Sequence, residues 1–129
     1  MDQSFDNREG KIWLNGQLID WKKANIHVLN HGLHYASSVF EGERAYNGKV
    51  FKSKEHTERL FNAAKTMDMI IPFTLDDILH AKDELLRANS LSDAYVRPIV
   101  WRGSEMMAVS AQTTKINVSI ASWAWPSYF

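Results

Sequence analysis

Short apolar runs separated by Asn-Gly pairs characterise the first part of the chain. Asn15-Gly16 separates KIWL from QLIDW, and Asn47-Gly48 separates VFEGERAY from KVFK. Asn-Gly suits a type I′ turn, because both central residues of that turn need a positive φ. The pattern therefore predicts two β-hairpins. The stretch between them, 31–38, is compatible with a helical turn or with an irregular loop.

Apolar residues recur at helical spacing in the middle of the chain. Ser53 is predicted to be the N-cap of a first helix, which Pro72 ends. Thr74 begins a second helix in the sequence Thr-Leu-Asp-Asp, which resembles a capping box with Asp77 at the third helical position. The second helix then presents an apolar face that includes one lysine: Ile78, Leu79, Lys82, Leu85 and Leu86. It is expected to end over 88–90.

Two strand patterns follow the helices. AYVRPIVW, residues 94–101, predicts a strand in which Pro98 indicates a sheet edge or an irregularity, because proline lacks a main-chain donor. KINVSIASW, residues 115–123, alternates apolar and polar positions and predicts another strand after a loop over 103–114. Hairpins, helices and strands in this order predict an α+β fold, a two-layer sandwich whose mostly antiparallel sheet carries helices on one face. A length of 129 residues indicates a single domain over 1–129.

The composition narrows the classes of function. The 15 basic and 15 acidic side chains balance, so no net positive charge favours nucleic acid or an anionic membrane as a partner. Cysteine is absent, which excludes disulfides and thiolate metal sites. No apolar run approaches the roughly 18–20 residues that span a bilayer, and the first ten residues are polar. We therefore expect a cytoplasmic protein that binds neither a membrane nor nucleic acid.

Three histidines suggest a metal site only weakly. His27, His31 and His34 would share one face of a helix and could hold zinc there. No HExxH or comparable pattern accompanies them, and Asn25 to Leu29 is more typical of a strand than of a helix. Histidines that are hydrogen-bonded within the fold are the favoured interpretation, and no metal is expected.

Four arginines lie in or beside apolar segments: Arg44, Arg59, Arg97 and Arg102. A guanidinium in such a place needs an anionic partner, because an unpaired buried charge is costly. That partner is either a ligand or a carboxylate of the protein itself. Tyr95 and Arg97 are two residues apart and share one face of their strand. They could grip a carboxylate together or form a packed polar pair.

Three segments carry a family resemblance: HGLHYASSVFEGERAY at 31–46, EHTERL at 55–60 and AYVRPIVWRG at 94–103. In this order and at this spacing they resemble the branched-chain amino-acid aminotransferases, which are pyridoxal-phosphate enzymes of fold type IV. The likeness extends from Lys11 to Phe129 and corresponds to the small N-terminal domain of those enzymes. D-amino-acid aminotransferases and aminodeoxychorismate lyases share the fold but lack the HYASSVFEG form.

The resemblance implies roles for eight residues. Arg59 corresponds to the arginine that binds the cofactor phosphate, and a planar, permanently charged guanidinium suits a phosphate dianion. Phe40 corresponds to an aromatic wall of the substrate pocket, and Tyr95 and Arg97 correspond to the pair that orients substrate carboxylates. The remaining positions surround the substrate in the family: Gly42, where the backbone passes close to it, Tyr35 and Val109, which reach the pocket of a neighbouring subunit, and Tyr128.

The resemblance also implies an activity for a longer protein. The family transfers the amino group of leucine, isoleucine or valine to 2-oxoglutarate through pyridoxal phosphate, which a Schiff-base lysine of the large C-terminal domain holds. None of the nine lysines of this chain corresponds to that residue. The chain alone is therefore expected to be inactive and to bind the cofactor weakly or not at all. It is expected to work with its own C-terminal domain in a homodimer or larger assembly.

Two alternatives stay open. The chain could be the small domain of another class IV pyridoxal-phosphate enzyme, such as a D-amino-acid or amine transaminase or an aminodeoxychorismate lyase. Glu43, Arg44 and the loop 104–110 would then set the substrate range, and GSEMMAVS departs from the glycine-rich form expected of that loop. The second alternative is a non-catalytic binding or assembly module, which the zero net charge and the aromatic side chains permit.

Overall fold

The computed structural model describes residues 4–125, and in this range seven strands form one sheet. The strands are β1 (Lys11–Leu14), β2 (Gln17–Asp20), β3 (Ser38–Phe40), β4 (Glu43–Tyr46), β5 (Lys49–Val50), β6 (Ala94–Arg102) and β7 (Ile116–Ala124). The helices are α1 (His31–Tyr35), α2 (Ser53–Thr66) and α3 (Leu75–Ala88), with a 3-10 helix at Trp21–Lys23. No helix in this range is both long enough and apolar enough to cross a membrane.

Both predicted hairpins are confirmed. β1 pairs with β2 across Asn15-Gly16, and β4 pairs with β5 across Asn47-Gly48. Asn15 and Asn47 have φ values of 49° and 51°, and the glycine after each of them also has a positive φ. These are the backbone conformations that a type I′ turn needs, and asparagine and glycine adopt them at low cost. The undecided stretch between the hairpins contains the short helix α1 and the strand β3.

Every strand pair in the sheet is antiparallel, in the order β2-β1-β7-β6-β4-β5, and β3 also pairs with β6. β6 is therefore a central strand, so the first of the two alternatives for Pro98, a sheet edge, is wrong, and the second, an irregularity, is what the structure has. Opposite Pro98 the neighbour of β6 changes from β4 to β3, and the Glu41 N–H donates to the Pro98 carbonyl at 3.0 Å. The main-chain nitrogen and oxygen of a strand residue point to the same side of the strand. The N–H that Pro98 lacks would therefore point to the junction between β3 and β4.

The predicted limits of α2 need two corrections. Ser53 is the first helical residue and not the N-cap, because Lys52 occupies that position with a φ of 53°. The helix also ends at Thr66, well before Pro72. Asp68 takes a φ of 58°, and the Met69 N–H donates to the Ala64 carbonyl at 2.8 Å. This is a Schellman-type ending with aspartate where glycine is usual. The sequence therefore has no glycine at this position from which the end of the helix could be predicted.

The capping box of α3 is confirmed. The Asp77 N–H donates to Thr74 Oγ1 at 3.0 Å, and the Thr74 N–H donates to Asp77 Oδ2 at 2.9 Å. α2 and α3 pack on one face of the sheet around a shared core: Leu60, Ala64, Ile78, Leu85, Val96, Val100, Val118 and Ile120. The α+β architecture with helices on one face is therefore confirmed. We call the opposite side of the sheet, which carries Tyr95, Arg97 and Ile99, the open face.

Candidate functional site

Four of the residues singled out in the sequence meet on the open face: Phe40, Gly42, Tyr95 and Arg97, which we call the open-face cluster. Arg97 Nε and Nη2 donate to Tyr95 Oη at 3.2 and 2.8 Å. The Arg97 guanidinium carbon also lies 4.2 Å from the centroid of the Phe40 ring, which is within range of a cation–π contact. Tyr95 and Arg97 thus form a packed polar pair, and the Phe40 ring beside them remains 57% exposed.

The absence of a side chain at Gly42 leaves space for the Tyr95 hydroxyl. A Cβ atom at position 42 would overlap Tyr95 Oη and lie 3.3 Å from Tyr95 Cζ. The Tyr95 ring has little freedom to move away, because Trp125 stacks on it and Trp123 lies tilted against it, each with a centroid distance of 4.9 Å. A side chain at position 42 would therefore displace the hydroxyl that Arg97 contacts.

Arg59, on α2, is oriented by Glu41, which lies between Phe40 and Gly42 in the chain and which the sequence analysis did not single out. Arg59 Nε donates to Glu41 Oε2 at 2.7 Å, and Arg59 Nη2 donates to Oε1 at 2.8 Å. His56 Nδ1 lies 2.7 Å from the same Oε1. Burial raises the pKa of Glu41, but the hydrogen bonds from Arg59 and His56 outweigh it and leave that pKa below its ordinary value. The Glu41 carboxylate is thus a buried anchor for the Arg59 and His56 side chains.

The other edge of Arg59 faces outward. The side chain is 69% exposed, and Nη1 makes no hydrogen bond within the described part of the chain. Together with Lys52 and His56 it lines a cavity of about 270 Å³. Three basic side chains around one small cavity could bind an anion such as a phosphate group, although Glu55 on the same wall reduces the net positive charge.

Glu43 has a different environment from Glu41, although only one residue separates them. Lys82 Nζ lies 2.7 Å from Glu43 Oε1 and donates to Thr57 Oγ1 at 2.7 Å, and both charged side chains are fully buried. Burial raises the pKa of Glu43 and lowers the pKa of Lys82, and their mutual attraction only partly offsets it. Glu43 therefore lies under the helices and does not face the open-face cluster. Lys82 is enclosed and is not presented to a ligand.

Tyr35 and Val109 lie at a separate place. With His31 they line a cavity of about 390 Å³ between α1 and the loop 103–114. Tyr35 is 43% exposed and Val109 is 85% exposed. Neither residue is part of the open-face cluster within this chain. Tyr128, the last of the eight predicted residues, lies outside the described residues.

The remaining arginines do not all have the anionic partner that the sequence predicted. Of the four arginines, Arg59 pairs with a carboxylate, that of Glu41. Arg102 instead donates to main-chain carbonyls of Ala111 and Asp68 and to the Thr114 hydroxyl. Arg44 lies over aromatic rings, 5.1 Å from the Tyr46 centroid. For these two arginines a carboxylate of the protein is not the partner observed, because carbonyl oxygens and ring faces also accept a guanidinium.

The histidines at 27, 31 and 34 do not converge on one point. His31 contacts Ser37 and the Ala108 carbonyl, His34 contacts the Val28 carbonyl, and His27 accepts from the Leu29 N–H. One other group of possible metal ligands, Glu41, Glu43 and His56, has ligand atoms within 4.8 Å of one another. Its two carboxylates already contact Arg59 and Lys82, so protein cations occupy the place of an ion.

A fold and cluster of this kind place the chain in a known class of protein. The family model for amino-transferase class IV matches residues 38–129. The chain belongs to this family.

The similar proteins are more specific in name. The chain is 46% identical over 122 residues to a probable branched-chain-amino-acid aminotransferase of Rickettsia bellii, covering 95% of this chain and 42% of that protein. It superimposes with a TM-score of 0.87 on the branched-chain amino acid aminotransferase of Escherichia coli, at 35% identity, over 92% of this chain and 41% of the other. The TM-score is also 0.87, at 37% identity, for the T.th. branched-chain enzyme complexed with N-(5'-phosphopyridoxyl)-L-glutamate, with 92% and 41% covered. The chain thus spans about two fifths of the length of the relatives it matches.

Proposed function

We propose that the chain is the small domain of a branched-chain amino-acid aminotransferase, which moves the amino group of leucine, isoleucine or valine to 2-oxoglutarate. The observation that carries the proposal is the open-face cluster together with an exposed Arg59, which is held by Glu41 between Phe40 and Gly42, in a chain of the class IV family. Relatives that bear this name, two of them 46% and 50% identical to this chain, support the choice of substrate class.

Pyridoxal phosphate is the cofactor that this proposal requires. The exposed edge of Arg59, with Lys52 and His56 on the same cavity, fits the phosphate group of that cofactor. When bound, the cofactor supplies the electron-withdrawing ring that lets an amino acid lose its Cα proton. Glu41 holds the guanidinium with one edge inward, so that the other edge is available to phosphate. The lysine that carries the cofactor is expected on a C-terminal domain.

The open face is the part of the proposed site that contacts the substrate. Phe40 offers an exposed ring to an aliphatic side chain, and each CH₂ group that it helps to remove from water contributes about 0.8 kcal/mol. Tyr95 and Arg97 are placed to orient a carboxylate, because a guanidinium and a phenol both donate hydrogen bonds to it. Gly42 keeps the main chain close to that place. Tyr35 and Val109 are assigned to the substrate pocket of a second copy of the protein, in a cytoplasmic homodimer, and Tyr128 is assigned to a substrate pocket.

The protein encoded by the complete reading frame around these residues tests the proposal. We expect it to transaminate leucine with 2-oxoglutarate and to prefer leucine to D-alanine. Arg59→Ala should weaken the binding of pyridoxal phosphate at least about tenfold, because it removes a charge-assisted contact to phosphate. Arg87→Ala, which removes an exposed arginine from the last turn of α3, is the matched control.

Two results would contradict the proposal. A preference for D-alanine would favour a D-amino-acid transaminase. The absence of any transaminase activity, together with unchanged cofactor binding in Arg59→Ala, would favour a non-catalytic binding module.

A further inference from the structure

His31 connects two parts of the molecule that are far apart in sequence. Its ring is buried, with 3% of the residue exposed. Nδ1 lies 2.6 Å from Ser37 Oγ, and Nε2 lies 2.6 Å from the carbonyl oxygen of Ala108. One ring therefore bridges α1 and the loop 103–114, across a separation of 77 positions.

The two hydrogen-bond partners determine which ring nitrogen of neutral His31 carries the proton. A carbonyl oxygen only accepts hydrogen bonds, so His31 Nε2 carries the proton and donates to Ala108. Nδ1 of the neutral ring is then an acceptor, and the Ser37 hydroxyl donates to it. Both ring nitrogens are satisfied in a buried place, which gives the ring a single orientation.

The flat face of the same ring contacts Tyr35. The two rings stack with centroids 4.4 Å apart and planes 25° apart. The next residue after Ala108 is Val109, and both Tyr35 and Val109 line the cavity between α1 and the loop. His31 thus contacts the ring of one proposed substrate residue and the main chain next to the other.

We propose that His31 is a positioning residue that holds Tyr35 and Val109 in register as one substrate-contacting surface. This inference rests on the proposed function, because it takes these two residues to contact the aliphatic side chain of the substrate. It assigns His31 an effect on substrate binding and not on the chemical step. A residue that affects ground-state and transition-state binding equally changes KM and leaves kcat unchanged.

The test compares variants of the complete protein. His31→Phe retains a flat ring against Tyr35 but loses both hydrogen bonds, and His31→Gln retains a donor that can reach the Ala108 carbonyl. We expect His31→Phe to raise the KM for leucine about tenfold with kcat within about twofold, and His31→Gln to recover most of that loss. Hydrogen exchange of the amides over 106–112 should be about fivefold to tenfold faster in His31→Phe, which is the effect of losing one hydrogen bond of ordinary strength.

His34→Gln is the matched control, because His34 is on the same short helix and contacts a main-chain carbonyl, that of Val28, outside the loop. It should change neither the exchange of the loop nor the KM. An equal fall in kcat and rise in KM in His31→Phe, or unchanged exchange over 106–112, would overturn the inference. An inactive wild-type protein would instead overturn the proposed function, and the exchange measurement would still decide whether His31 holds the loop.

Discussion

The two faces of the sheet are built from the same strands but differ in burial and polarity. On the helix-covered face, β6 contributes Ala94, Val96 and Val100 to an apolar core, and the Glu43–Lys82 ion pair is enclosed there. On the open face the alternate residues of β6 are Tyr95 and Arg97, which stay partly exposed and contact each other, with Phe40 beside Arg97. Because side chains alternate along a strand, one segment can supply both a core and a ligand-facing surface.

The two glutamates of the FEGE segment show what this difference does to charge. Glu41, near the edge of α2, contacts the exposed Arg59, and its pKa lies below the ordinary value. Glu43, fully under the helices, contacts only the buried amine of Lys82 among cationic side chains of the described range, and burial raises its pKa. The first carboxylate orients an exposed guanidinium. The second is part of the interior, and its replacement should affect stability before it affects binding.

The largest predicted effect comes from breaking the buried pair. Lys82→Met leaves the Glu43 carboxylate enclosed without its cation, and we expect it to lower the free energy of unfolding by about 3–5 kcal/mol. Urea denaturation of the chain, followed by far-UV circular dichroism, measures this loss.

The double variant Lys82→Met with Glu43→Leu separates the charge from the packing. It should recover most of the loss, because two apolar side chains of similar volume need no ionic partner. If the double variant is as unstable as Lys82→Met, then packing around Lys82 and not the unpaired charge accounts for the effect. The charge of Glu43 would then not distinguish the helix-covered face from the open face.

A smaller effect is predicted on the open face. Gly42→Ala forces the Tyr95 hydroxyl away from its place, and we expect a loss of about 1–2 kcal/mol in the free energy of unfolding, as for other overpacked sites. Tyr95→Phe removes the atom that the new Cβ would overlap and leaves the ring carbon at 3.3 Å. In the Tyr95→Phe background, Gly42→Ala should therefore cost much less, and a double-mutant cycle measures the difference. Equal costs in both backgrounds would show that the Tyr95 hydroxyl is not what requires glycine.

Local sequence patterns predicted most of the fold but not its long-range contacts. The Asn-Gly turns and the capping box at Thr74 are local, and both were correct. The end of α2 was missed because aspartate takes the left-handed position that usually signals glycine. The choice between an edge and an irregularity at Pro98 stayed open because strand order depends on pairing between distant segments.

The same limit applies to the candidate site. The two-residue spacing of Tyr95 and Arg97 correctly predicted a shared face, and Phe40 joins them there. The contacts of Glu41 with Arg59 and of His31 with Ala108 join residues that are 18 and 77 positions apart. No periodicity in a single segment signals such a pair. The available clue was that Glu41 follows Phe40 directly. Because side chains alternate along an extended chain, it would point away from the open face and towards α2.

The smallest predicted effect is a change in the acid dependence of stability. Because the pKa of Glu41 is lower in the folded chain than its ordinary value, the unfolded chain binds the proton more readily. The stabilisation by Glu41 is therefore complete above its ordinary pKa of 4.5 and is lost as the pH falls through the lower folded value. Glu41→Gln should flatten this part of the stability–pH curve and cost less than about 1 kcal/mol at pH 7, because the Arg59 side of the pair is exposed to solvent, which screens the interaction.

Denaturation between about pH 3 and pH 7, the range in which carboxyl groups titrate, measures the slope of that curve. Glu55→Gln, which removes an exposed carboxylate 3.9 Å from Lys52, is the control and should leave the slope nearly unchanged. An equally steep curve in Glu41→Gln would mean that Glu41 does not hold Arg59 by its charge. The interpretation of Glu41 as an orienting carboxylate would then fail, because its charge would contribute nothing to the position of Arg59.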